Sequence, residues 1–330
     1  MTRKKQLSIS FFILIAYVLI ISPFTYGQRF PSEEENIGQL ITFGKGGDPS
    51  WGDDDFSQTF FFILPHTYTQ RFYIRVFDPD TGGKLDENKG DFDTKTRFSV
   101  YGGQGVHSNK DAQGFNPTGN YHSGSLLASK TFGVSEQHDG KWHTFGPFNP
   151  KEGEISEQFQ MKGYVFKIIA DGMSGDDGNL YHYFVSTSPD ENLPVDGLNG
   201  FTYEYSIRMA SSSGSIMHIY PYVTENVISI QQHNFDSDGD GSILLYSVSK
   251  FREKAKVSGD NVWASSKHPV TQQEHNTSID IQIVKSKSFN NNMVIYVTNQ
   301  YNKAVAFFGV PIGGKPKHNA QPNITRLKGG

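Results

Sequence analysis

The chain contains no cysteine in its 330 residues. Disulfides, thiolate catalysis, cysteine-ligated metal sites and a lipid anchor on cysteine are therefore excluded. Lysine and arginine form no cluster beyond the first five residues. With 30 basic residues against 34 acidic ones, the net charge is −4. That balance argues against nucleic-acid binding, which needs a basic footprint. Helical periodicity is nearly absent. The longest apolar run, Ile9 to Ile21, is 13 residues, short of the roughly 20 that span a bilayer. Catalytic signatures are missing too: no G-x-S-x-G elbow, no H-E-x-x-H and no phosphate-cradling glycine loop before a helix. The 11 histidines are scattered without a zinc spacing. The chain reads as non-catalytic, and no residue is assigned a catalytic role. Among the acidic residues, a carboxylate pair for glycoside hydrolysis has no distinguishing mark. A carbohydrate-active protein, either a lectin-like module or a glycoside hydrolase, is thus the alternative reading.

The first 27 residues carry the clearest address. A basic start at Arg3, Lys4 and Lys5 precedes the apolar run, and Ser22-Pro23-Phe24-Thr25-Tyr26-Gly27 follows with small residues at Thr25 and Gly27. This layout predicts a secretory signal peptide cleaved after Gly27. The expected mature chain works in the periplasm, on the cell surface or outside the cell. It has 303 residues, and loss of three positive charges takes its net charge from −4 to −7. That length suffices for two domains with sizeable cores. An exported chain without disulfides needs other restraints in its loops, and bound cations are a candidate. The composition, rich in Asn, Lys, Phe and Tyr, looks like that of an envelope or secreted bacterial protein.

Short runs of Phe, Tyr, Ile and Val bounded by Gly, Asp, Asn and Pro predict about fifteen strands, from Gln39–Phe43 to Ala304–Val310. Tyr203–Met209 and Ser278–Ile283 alternate apolar and polar residues, the mark of an antiparallel strand with one wet face. Thr59–Leu64 is apolar almost throughout and suits a strand covered on both sides. The expected fold is all-β: two antiparallel β-sandwich domains of jelly-roll or C2/Ig-like type. The polar stretch Ser211-Ser212-Ser213-Gly214 predicts a boundary. The N-terminal domain would span residues 28–210 and the C-terminal domain 211–312, with a flexible tail at 313–330.

The sharpest motif is Asp236-Ser237-Asp238-Gly239-Asp240-Gly241. It resembles the first half of an EF-hand calcium loop, D-x-D-x-D-G, in which carboxylates at alternate positions turn inward and glycine permits the sharp bend. The twelfth position is Ser247 rather than glutamate, and Ile243-Leu244-Leu245-Tyr246 predicts a strand where an EF-hand has a helix. The expectation is a calcium loop between β-strands, with Asp236, Asp238 and Asp240 as ligands. Further acidic loops surround Asp53–Asp55, Asp78-Pro79-Asp80 with Asp86, and Asp171 with Asp176. If consecutive strands reverse direction, these three loops meet at one end of the sandwich, as in calcium-binding C2-type arrangements. So many carboxylates repel one another unless a cation joins them. Asp53, Asp55, Asp78, Asp80, Asp86, Asp171 and Asp176 are therefore candidate calcium ligands beside the D-x-D-x-D-G set. Trp51, in a Gly/Asp loop with nothing local to bury it, is the candidate contact for a protein or glycan ligand. Tyr121, His122 and Trp142 are weaker candidates. The overall expectation is an exported, calcium-stabilised binding, adhesion or assembly protein of the bacterial envelope or exterior. A structural component of a larger envelope complex is a further alternative.

Overall fold

The computed structural model describes residues 29–48, 56–115, 120–135 and 137–314. The expected signal peptide, Trp51, Asp53 and Asp55, and nearly all of the expected tail lie outside them. In chain order the strands are β1 Arg29–Phe30, β2 Gln39–Phe43, β3 Ser57–Pro65, β4 Phe72–Phe77, β5 Lys95–Gly102, β6 Ser125–Phe132 and β7 Trp142–Phe148. Next come β8 Glu154–Ser156, β9 Gly163–Ser174, β10 Gly178–Ser186, β11 Asn199–Thr202, β12 Glu204–Arg208, β13 Ile216–Ile219 and β14 Tyr222–Val223. The last are β15 Ser229–Phe235, β16 Ser242–Tyr246, β17 Glu253–Ala255, β18 Trp263–Pro269, β19 Thr277–Ser278, β20 Asp280–Val284, β21 Asn292–Asn299 and β22 Phe307–Phe308. Among the described residues strand makes up 46% and helix 5%, so the layers of the fold are sheets. Among the described residues no helix is long and apolar enough to cross a membrane.

Among the described residues every strand pairing is antiparallel. A nine-stranded sheet runs β18-β15-β21-β12-β2-β10-β4-β7, with β1 beside β10. A seven-stranded sheet runs β22-β11-β3-β9-β5-β6, with β8 beside β9. Smaller sheets are β13-β20-β16-β17 and the pair β14-β19. The two large sheets face each other across an aromatic core. Phe60, Phe62 and Phe98 of the seven-stranded sheet meet Tyr181, Tyr183 and Tyr205 of the nine-stranded one, with ring centroids 5.0 to 6.1 Å apart. Tilted and edge-on contacts of this kind add to the area each ring buries. Inward residues of the four-stranded sheet, among them Ile219, Ile243, Leu245 and Ile281, join the same core.

Thr59–Leu64 is covered on both sides. Phe60, Phe62 and Leu64 enter the main core, while Phe61 and Ile63 enter a second cluster with Phe201, Tyr203 and Phe308 on the opposite face. The alternating run Tyr203–Met209 extends back to Phe201 in the sequence, and the structure divides that stretch between two strands. The chain leaves the seven-stranded sheet after β11 and enters the nine-stranded sheet at β12, turning at Tyr203. The expected domain boundary at Ser211–Gly214 falls between β12 and β13. Strands on either side of it share one sheet, since β12 pairs over its whole length, Glu204–Arg208, with β21. The main core likewise draws residues from both sides.

Candidate metal centres

The turn after β4, the turn before β7 and the start of β10 converge because their strands are neighbours. β10 pairs with β4, and β4 with β7, Phe77 lying opposite both His182 and Trp142. Asp78 follows β4 in the left-handed region, at φ 55°. Its backbone N–H donates to the Lys141 carbonyl at 2.8 Å, and its Oδ1 accepts from the Gly140 N–H at 2.7 Å. Asp86 caps the far side of the loop, with one carboxylate oxygen accepting from Leu180 N–H at 2.6 Å and the other from Gly82 N–H at 2.7 Å. Asn179 donates through Nδ2 to the Pro79 carbonyl at 2.9 Å. Gly83, at φ 68°, lets Asp139 approach: a Cβ there would stand 2.2 Å from Asp139 Oδ1.

This pocket of oxygens is under-satisfied. Asp78 and Asp80 are 1% and 2% exposed. Asp78 Oδ2 and both carboxylate oxygens of Asp80 are buried without a hydrogen-bond partner. So are the neutral oxygens Thr81 Oγ1 and Asn179 Oδ1. The backbone N–H groups of Asp80 and Ser135 lie near enough to temper the Asp80 charge, yet neither completes a hydrogen bond to it. Burial pushes the Asp78 and Asp80 carboxyls up to about 6, with Asp139 adding repulsion to each. Burial pushes Asp86 up to about 8, partly offset by its two N–H donors and reinforced by Asp78 and Asp80. Buried acceptors with no donor are strongly disfavoured in a folded protein. A divalent cation would supply what these oxygens lack, and an all-oxygen set is of the kind calcium takes.

A second group forms around the D-x-D-x-D-G motif, but with different members. Oxygens of Asp236, Asp238 and Asp260 lie within 4.8 Å of one another. Asp236 and Asp238 both have positive φ, 57° and 56°, which turns the two carboxylates toward the β17–β18 turn that carries Asp260. Burial raises the Asp236 carboxyl to about 6. The Asn261 N–H offsets part of that, and Asp238, Asp260 and Asp48 add to it. Asp240 is not in this group. It lies 2.6 Å from Lys285 Nζ in a fully buried ion pair, and its Oδ1 accepts from Ser286 N, Ser286 Oγ and Lys287 N. Burial alone would raise its pKa, but Lys285 and Ser286 hold it at about 2. The motif is therefore divided between an acidic cluster and a neutralised pair.

The remaining expected residues separate as well. Asp176 groups with Asp93 and Asp177, their oxygens within 4.8 Å. The Asp177 carboxylate already accepts three backbone N–H bonds, from Lys89, Asp93 and Thr94 at 2.8 to 3.1 Å, so it fastens the β4–β5 loop to the β9–β10 turn. Asp171 stands within β9 and faces Arg97 at 3.0 Å, Tyr121 and His122. Trp142 packs among Phe77, His182 and the Arg75 guanidinium. The β4–β5 and β9–β10 loops do share one end of the sandwich, as the alternation of strand direction predicts. The acidic-loop pattern in the sequence does not single out Asp139 or Asp260. The same alternation also carries the β6–β7 turn, and with it Asp139, to that end.

The fold and these centres define an all-β antiparallel sandwich whose acidic loops are held together at their turns. No family model matches the chain, and no curated protein matches it. Among solved structures it is similar to a chain of Red Clover Necrotic Mosaic Virus, 10% identical over 81% of this chain and 95% of that chain, with a TM-score of 0.19.

Proposed function

We propose that this chain is an exported, non-catalytic, calcium-stabilised β-sandwich protein that binds a ligand or partner at the bacterial cell envelope or exterior. The observation that carries the calcium reading is Asp80, buried with both carboxylate oxygens unpartnered, beside Asp78, Asp86, Asp139 and the orphan oxygens of Thr81 and Asn179. The ion's role is structural. It replaces the missing donors and ties the turns after β4 and before β7 to β10. Asp236, Asp238 and Asp260 form the second candidate centre. Export rests on the basic, apolar and small-residue order of the first 27 residues. Calorimetric titration of Gln28–Gly330 with calcium tests the reading, with thermal unfolding in calcium and in chelator beside it. Saturable binding with a calcium-dependent rise in unfolding temperature supports it. No heat and no shift would reduce the loops to acidic turns.

A further inference from the structure

A cleft of about 590 Å³ opens beside the β4–β5 loop, and Asp78, Asp80 and Asp86 are not among its lining residues. Its walls are the segment following β1, the tip of the β4–β5 loop and the chain just after β12. Three cations line it, Arg29, Lys84 and Arg208, against one carboxylate, Glu33. In a chain of net charge −4 this is a local reversal of sign. The protein leaves donors on these cations unused, although Arg208 is ion-paired with Glu87 and Glu33 lies near Arg29. Arg29 spends Nη2 on the Gly38 carbonyl, and its Nε is buried without a partner. Lys84 is exposed and has no hydrogen bond or ion pair among the described residues. Glu87 and Asn292 clamp Arg208 through Nη2 and Nε; this fixes the guanidinium plane and leaves Nη1 free among the described residues. Gln39, Ser211, Ser212 and Asn290 add side-chain hydrogen-bonding groups that bond to nothing else among the described residues. The volume lies within the range of about 300–1,000 Å³ usual for small-molecule sites.

We infer that this cleft binds a small hydroxylated anion, a sugar carrying a carboxylate or a phosphate. Arg29 and Lys84 meet the oxyanion, as guanidinium forks and ammonium groups do. The neutral amides and hydroxyls meet the sugar hydroxyls. The site stands apart from the calcium centres, although one loop serves both, so it is tested at saturating calcium.

The experiment is titration of Gln28–Gly330 with galacturonate, glucose 6-phosphate and neutral glucose, followed by calorimetry or ligand-observed NMR. At least one anion should bind ten times or more tightly than glucose, and which one does so identifies the carboxylate or the phosphate source. Lys84→Glu reverses a charge on an exposed side chain with no partner to lose, so the fold is kept. It should weaken the anion at least tenfold without altering the calcium-dependent unfolding temperature. Arg29→Ala should weaken it as well. Binding of neither anion above glucose, or equal binding by Lys84→Glu, would overturn the proposal. The calcium response read on the same samples keeps that failure distinct from failure of the calcium reading.

Discussion

Replacing Asp80 with asparagine should reverse the order of stability between two buffers. In chelator at pH 7.5 the native carboxyl, whose pKa is about 6, is ionised. It then stands buried beside Asp78, Asp86 and Asp139 with no donor to either oxygen. An unpartnered buried group costs on the order of 1–3 kcal/mol, and asparagine removes the charge and the repulsion but keeps the shape. Asp80→Asn should therefore unfold a few degrees above the native chain in chelator. In calcium the balance turns. A ligand that binds only the folded state at a hundredfold excess over Kd adds about 2.7 kcal/mol, and for a chain of this size that is about 5 °C in unfolding temperature. The variant loses a ligand oxygen and most of that gain, so it should fall below the native chain. The assay is differential scanning calorimetry of both proteins in excess calcium and in EGTA. A native chain with no calcium response would refute the reasoning, and so would a variant less stable in both buffers.

Asp240→Asn leaves Lys285 buried without its counter-ion. It should cost about 3 kcal/mol, equally in calcium and in chelator, when denaturant midpoints are compared. Asp260→Asn should lower the calcium stoichiometry measured by calorimetric titration by one ion and leave the Asp80 centre responsive. Glu35 is fully buried, and burial raises its carboxyl from 4.5 to about 7, despite hydrogen bonds from Tyr205 and Ser32. Between those two values the folded state holds more protons than the unfolded state, so stability falls as pH rises. The difference amounts to about 3 kcal/mol by pH 8. In saturating calcium the stability advantage of the native chain over Glu35→Gln, measured from pH 5 to 8, should shrink by most of that amount. His107, His143 and His182, whose pKa values burial lowers, contribute equally to both proteins and cancel.

Most of the strand layout is legible in sequence because buried faces leave a period. β2 has the limits that its apolar run predicts, and Thr59–Leu64 is covered on both faces as its nearly unbroken apolar character implies. β18 was missed for a physical reason. It is an edge strand whose WASSKHP buries only His268, so it carries no apolar alternation. The break at Tyr203 leaves no mark in the sequence because apolar residues recur at every second position from Phe201 to Met209 without a slip, and the change of sheet is a matter of partners rather than composition. The acidic motifs located the loops but not the ligand sets. Asp240 looks like an ion ligand until the fold brings Lys285, distant in sequence, into its plane. Asp260 and Asp139 join their centres through strand pairing, Phe235 with Trp263 and Phe77 with Trp142, which no local pattern announces.

The ten residues from Asp78 to Glu87 belong to two sites at once. Asp78, Asp80 and Asp86 belong to the proposed cation centre, Lys84 and Leu85 line the proposed anion cleft, and Glu87 pairs with Arg208 of the same cleft. One short piece of backbone therefore supplies acidic residues to one proposed site and a basic residue to the other. If loading of the cation restricts where that backbone sits, it also fixes how far Lys84 stands from Arg29. Thermodynamic reciprocity then requires the anion to tighten the cation by the same factor that the cation tightens the anion. Outside a cell, where calcium is plentiful, such a loop would hold its cleft set; where calcium is scarce, the same chain would release its anion without any change in the cleft's own residues.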